Sequence, residues 1–184
     1  MHPMRQDIDE ILLSEEQIRQ RLDELASEIQ RDYADKDLTL VAILSGSVMF
    51  IADLLRRLPM QLRLDYIGIS SYRGQTRSAG VLVVTKALKL DVHDRDVLVV
   101  DDILDTGMTL VKVREMILKL QPRSLKFCTL LEKDVPHSEN FHVDYVAFHI
   151  PNKFVVGYGL DYRERYRNLP CIGTLKSEVI GQPL

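Results

Sequence analysis

Cysteine is scarce: Cys128 and Cys171 are the only two in 184 residues. Neither sits in a CxxC or Cys/His spacing, so a disulfide framework and a structural zinc site are both excluded. Two such thiols read as buried or bystander groups in a reducing compartment. No apolar run approaches the roughly 20 residues a membrane-spanning helix needs. The opening stretch "MHPMRQDIDEILLSEEQI" is too acidic and too broken for a signal peptide, so a cytoplasmic protein without a membrane partner is expected. Charge of one sign is also lacking: the net charge is -3 and the pI about 6.0, which excludes a broad nucleic-acid-binding surface. Internal repeats, low-complexity tracts and Pro/Ser-rich linkers are missing, so residues 1–184 are expected to form a single domain.

What is present is a succession of apolar strands separated by amphipathic helices. Ile18, Leu22, Leu25 and Ile29 fall at helical spacing behind Ser14, a candidate N-cap. "LTLVAIL" reads as a buried strand, followed by a Ser-Gly-Ser turn and the apolar helix "VMFIADLLRRL". The strand "LRLDYIGIS", the polar loop "SSYRGQTRSAG" and the strand "VLVVT" come next. Strand Val97–Val100 runs into Asp101 and Asp102, and a helix then places Leu110, Val113, Met116, Ile117 and Leu120 on one face before Pro122. "LKFCTLL" is a further strand. Nearly all-apolar strands alternating with helices predict an α/β fold, a mostly parallel central sheet flanked by helices. Ligands in such sheets bind beyond the carboxyl ends of the strands.

That rule places "VLVVDDILDTGMTL" at a ligand. Asp105, Thr106, Gly107, Met108 and Thr109 precede a helix, so backbone N–H groups and two hydroxyls converge on one spot suited to a phosphate. Gly107 lets the backbone come close. Asp101 and Asp102 would repel that phosphate unless a divalent metal or sugar hydroxyls lay between, since carboxylates serve both. The combination points to a phosphorylated sugar. Capping and turn formation would account for one Asp, but not for three acids with TGxT behind an apolar strand. A nucleoside triphosphatase also ends an apolar strand in acids, but it requires GxxxxGK[ST], which is missing here.

The segment resembles the phosphoribosyl pyrophosphate (PRPP) motif of the type I phosphoribosyltransferases. "LTLVAILSGSVMF", "SSYRGQT", "LLEKDVPH" and "KFVVGYGLDYRERYRNLP" follow the order found in hypoxanthine-guanine phosphoribosyltransferases, from Leu38 to Pro170. The resemblance implies the type I fold: a core over about residues 38–150, with a small base-binding hood from the N- and C-terminal segments. It also implies Mg²⁺-dependent transfer of 5-phosphoribosyl from PRPP to N9 of a 6-oxopurine, by a homodimer or homotetramer.

Residue by residue, Asp101 and Asp102 match the acidic pair holding the ribose hydroxyls and their magnesium, with Asp-Asp where Glu-Asp is common. Asp105 matches the catalytic group acting on purine N7, and Thr106, Gly107, Met108 and Thr109 the 5-phosphate loop. Lys133 matches the lysine facing O6, Phe154 the aromatic stacking on the base, and Val155 the residue whose backbone meets its edge. Asp161 matches a second metal-associated acid on the base side, and Arg167 a pyrophosphate contact. Ser45 and Gly46 match the pyrophosphate loop, although Ser45 stands where many relatives carry Lys or Arg. Ser71 and Tyr72 match the working end of a lid. A DNA-binding regulator on the same fold is disfavoured, because one helix before Leu38 is too little for a helix-turn-helix and Asp105 is retained. Transfer to xanthine stays open; "KFVVGYGLDY" disfavours a pyrimidine.

Overall fold

The computed structural model describes residues 3–72, 81–136 and 141–181. A 3₁₀ turn (Pro3–Asp7) leads into β1 (Ile8–Leu13) and α1 (Glu15–Asp32). Helix α1 starts where the N-cap was expected: the Gln17 N–H donates to Ser14 Oγ (3.2 Å), and Gln17 Oε1 accepts from the Ser14 N–H (2.8 Å). Its apolar stripe, Ile18, Leu22, Leu25 and Ile29, is buried.

Strand β2 (Leu38–Leu44) continues through a turn into α2 (Val48–Leu55), then β3 (Arg63–Tyr72) and β4 (Val81–Lys86). Next come β5 (Asp96–Leu104), α3 (Met108–Leu118), β6 (Ser124–Lys133) and β7 (Tyr145–Ile150). The chain ends with β8 (Ile172–Leu175) and α4 (Ser177–Ile180).

The main sheet has strand order β4-β3-β2-β5-β6-β7, parallel except for the β3–β4 pair. From β2 the chain moves outward through α2 to β3; from β5 it moves the other way through α3 to β6. The order therefore reverses between β2 and β5, and a crevice opens beyond their carboxyl ends. Alternation along the strands divides the core into two layers. Leu38, Leu40, Leu98, Val100 and Leu130 pack with α1 and α2. Val41, Ile43, Val97 and Val99 pack with Leu110, Val113 and Ile117 of α3.

Four expectations need correction. Strand β5 does not stop at Val100: it runs to Leu104, with Asp101 opposite Thr129, so both acids lie inside the strand. Parallel pairing with β6 carries the strand past residues that local propensity disfavours. Leu120 lies beyond the end of α3 and is exposed, leaving Leu110, Val113 and Ile117 as the buried stripe. Ser71 and Tyr72 belong by backbone to β3, opposite Leu82 and Val81, rather than to a loop; residues 73–80 of the expected lid lie outside the described residues. Finally, β1, foreseen only as part of an extension with one helix, pairs antiparallel with β8 in a separate two-stranded ribbon.

Candidate active site

The crevice between β2 and β5 is a cavity of about 390 Å³. It brings together Ser45, Gly46, Asp101, Asp102, Asp105, Thr106, Gly107, Thr109, Asp161 and Arg167 of the residues singled out in the sequence. Ile69 and Ile103 also line it, with no signal beyond strand alternation to mark them.

The turn from Asp105 to Thr109 forms because Gly107 takes φ +85°, reversing the chain between β5 and α3. Val111 N–H makes the first intrahelical bond, to Gly107 O (2.9 Å). The amides before it in the first turn have no intrahelical acceptor, and the helix dipole adds to their positive potential. Met108 is exposed and does not line the cavity.

Opposite the turn, the Leu44–Ser45 peptide is cis. Gly46 fits against Asp102 so closely that a Cβ would lie 1.6 Å from Asp102 Oδ2. Ser45 contributes no charge, and Arg167 is the one cationic side chain among the described residues lining the cavity. Its guanidinium donates to Gly159 O (2.9 Å), lies 2.8 Å from Asp161 Oδ1 and 3.0 Å from Glu164 Oε2. Asp161 Oδ2 in turn accepts from the Glu164 N–H (2.9 Å).

The acidic pair is electrostatically costly. Asp101 is buried, and its Oδ1 accepts from the Asp102 N–H (3.0 Å). Burial pushes the Asp101 carboxyl well above the usual carboxylate range, and the Asp102 charge adds to the rise. Burial also raises Asp102, opposed by hydrogen bonds from Asp101 and the backbone and by the Arg167 charge. Among the described residues no group of three or more His, Cys, Asp or Glu side chains is arranged to hold a metal unaided. The site therefore offers a cation hard oxygen donors, but not a complete shell.

On the far side of the turn, Lys133 at the end of β6 places Nζ 2.8 Å from Asp105 Oδ2. Lys133 is only 11% exposed, whereas Asp105 is 50% exposed. Phe154 is 54% exposed, and its ring packs edge-on against Tyr162, centroids 5.9 Å apart. Val155 is buried. These three do not line the cavity that holds the acids and Arg167.

Residues 9–163 match the family model described as the phosphoribosyl transferase domain. The chain belongs to that family. It is 46% identical, over 97% of its length and 100% of the relative's, to a hypoxanthine-guanine phosphoribosyltransferase of Staphylococcus epidermidis. A crystal structure of a hypoxanthine phosphoribosyltransferase from Staphylococcus aureus superposes with TM-score 0.91 at 44% identity, covering 97% of both chains. A hypoxanthine-guanine-xanthine phosphoribosyltransferase superposes with TM-score 0.85 at 39% identity, over 93% of this chain and 99% of the other. The strand-order reversal and the Asp105–Thr109 turn occupy the place where the α/β topology directs a ligand. No helix of the described residues is long and apolar enough to cross a membrane.

Proposed function

We propose that the protein transfers the 5-phosphoribosyl group of PRPP to N9 of hypoxanthine, and of guanine, giving the nucleotide and pyrophosphate. The observation that carries this reading is the Lys133–Asp105 pair, 2.8 Å apart beside the phosphate turn. On a 6-oxopurine, O6 and N7 are neighbours on one edge. An ammonium group, which has only donors, suits O6, and a carboxylate suits a proton on N7. One pair of side chains thus matches one purine edge, next to the turn that suits the sugar's phosphate.

In this reading the first-turn amides of α3 and the hydroxyls of Thr106 and Thr109 hold the 5-phosphate. Asp101 and Asp102 accept from the ribose hydroxyls. Positive charge develops on the sugar as the bond to pyrophosphate breaks, and Arg167 with the Ser45–Gly46 backbone stabilises the departing anion. Asp105 shares the N7 proton as N9 attacks, a general-base contribution of about 10²- to 10⁴-fold. Phe154 orients the base by its flat apolar face, and the backbone at Val155 meets the base edge. The β1–β8 ribbon with the residues around Phe154 serves as the hood over the base. Ser71 and Tyr72, at the carboxyl end of β3, stand where the lid that excludes water begins.

Magnesium fits this donor set. Mg²⁺ binds through one or two carboxylates and substrate phosphates rather than in an all-protein cage, which suits the adjacent carboxyls of buried Asp101 and partly buried Asp102 in an incomplete shell. Asp101, Asp102 and Asp161 would hold it, directly or through water. A bound Mg²⁺ supplies positive charge to the pyrophosphate.

A homo-oligomer is proposed as well. Leu64 and Tyr66 on β3 pair with Leu40 and Ala42 on β2 and so share the face that α1 and α2 cover, yet they stay exposed. Exposed Val83 on β4 and Val48 at the start of α2 extend this apolar strip, which a second copy of the chain would cover. Sedimentation analysis of wild type and of Tyr66→Lys tests it, with dissociation expected in the variant.

The function itself is tested by pyrophosphate release from PRPP and Mg²⁺ over hypoxanthine, guanine, xanthine, adenine and uracil. Release with the 6-oxopurines and little with adenine or uracil is expected. Release with adenine alone would overturn the reading.

A further inference from the structure

Tyr158 takes no part in the chemistry above, yet it is held at φ +49°, between Gly157 at +100° and Gly159 at +102°. Such a conformation is uncommon for a residue with a side chain and persists only where the surroundings impose it. Here they do. The Tyr158 N–H donates to Leu169 O (2.8 Å), the Gly159 N–H to Arg167 O (2.8 Å), and Gly157 and Leu160 exchange two bonds of 3.0 Å.

The Tyr158 side chain is buried, and its hydroxyl donates to Asp53 Oδ2 at 2.5 Å. Asp53 lies on α2, the helix that begins directly after the Ser45–Gly46 loop. That anchor is itself braced: Arg56 donates to Asp53 Oδ1, and Arg57 donates to Asp53 O (3.0 Å) and to Asp23 on α1 (2.7 Å). Burial, and then the bond to Asp53, push the Tyr158 hydroxyl upward, so it remains a protonated donor at working pH.

The residue after Tyr158 touches both halves of the anion site. Gly159 O accepts from Arg167 Nη1 (2.9 Å). On its other side Gly159 abuts the pyrophosphate loop, where a Cβ would lie 2.0 Å from Gly46 O. With Ser45 neutral, the direction of the Arg167 guanidinium is what the cavity has for orienting a diphosphate.

We infer that the Tyr158–Asp53 hydrogen bond is a positioning device: it fixes Arg167 against the Ser45–Gly46 loop and so sets affinity for the diphosphate end of PRPP without touching it. This rests on the assignment of Arg167 and that loop to the pyrophosphate.

The test is steady-state kinetics on the full chain with Mg²⁺, separating KM for PRPP, KM for hypoxanthine and Ki for inorganic pyrophosphate. Tyr158→Phe keeps the ring and removes the hydroxyl. KM for PRPP and Ki for pyrophosphate should rise about tenfold, the scale of one hydrogen bond to a charged group, with KM for hypoxanthine unchanged. Asp53→Ala should reproduce this, Asp53→Asn, which keeps an acceptor oxygen, should recover most of it, and the double variant should be no worse than either single one. Thermal melts show which variants are folded at the assay temperature. An unchanged KM for PRPP in folded Tyr158→Phe, or parallel changes in both KM values, overturns the inference. Arg167→Gln in the same assay separates the two layers: if it leaves KM for PRPP and Ki unmoved, the diphosphate lies elsewhere and the inference falls with it. If Arg167→Gln raises both and Tyr158→Phe neither, only the positioning role is wrong.

Discussion

Replacing Asp105 with Asn should separate catalysis from stability by a wide margin. The substitution keeps an oxygen that can accept from Lys133 Nζ, now 2.8 Å from Asp105 Oδ2. Because Asp105 is half exposed, solvent screens the lost charge and the pair contributes below about 1 kcal/mol. In a chain of this length that is a fall in Tm of no more than about 4 °C. Loss of a general base, by contrast, lowers kcat by about 10²-fold or more, equivalent to some 2.7 kcal/mol in the barrier. Unfolding cannot imitate the result, since a hundredfold loss would require nearly all the protein to be unfolded at the assay temperature, which circular dichroism would reveal. The assay is kcat with saturating hypoxanthine and PRPP, accompanied by KM for PRPP, which should change little. A near-normal kcat in Asp105→Asn would mean that Asp105 only ends the turn and pairs with Lys133, and the proposed chemistry would be refuted.

Further predictions concern charge around the same cavity. Asp101→Asn should raise the Tm of the ligand-free protein at neutral pH, by about 2–4 °C for each kcal/mol recovered, because it removes a buried charge while keeping an acceptor for the Asp102 N–H. The sign follows from linkage: a carboxyl whose folded pKa is raised binds more protons in the native state, so stability falls as pH rises through and above the ordinary carboxylate range. The wild-type Tm should therefore decline across that window more than the variant's, and a lower Tm for Asp101→Asn at pH 7 would contradict the account. Ser45→Lys should lower KM for PRPP and Ki for pyrophosphate, because Arg167 now faces the anion without a second cation in the lining; unchanged values would show that the loop's side chain does not reach it. Lys133→Gln should cut kcat/KM for hypoxanthine and narrow its lead over adenine, since mismatched donors in a polar site can cost 10⁴-fold or more; an unchanged ratio between the two bases would mean that Lys133 does not read position 6.

The parallel core was legible because burial on both faces leaves a plain signature. "LTLVAIL" coincides with β2, Leu38–Leu44, and Ser14 marks the start of α1. The turn from Asp105 to Thr109 ahead of α3 was legible for a similar reason, since a reversal at a left-handed glycine is local. What escaped notice depends on partners far along the chain. Strand β1 reads "IDEILL", too short and too mixed to announce itself, and it exists by pairing with β8 near the other end. The continuation of β5 through Asp101 and Asp102 depends on β6. The Tyr158–Asp53 bond spans 105 residues and leaves no periodic trace.

The central claim is tested most directly by incubating the purified protein with PRPP, hypoxanthine and Mg²⁺ and quantifying both products. The account predicts inosine monophosphate and pyrophosphate in a 1:1 ratio, and neither when EDTA replaces the metal, because the acids facing the polyanion then have no cation between them. Full nucleotide formation in EDTA, or pyrophosphate release without any nucleotide, would contradict it.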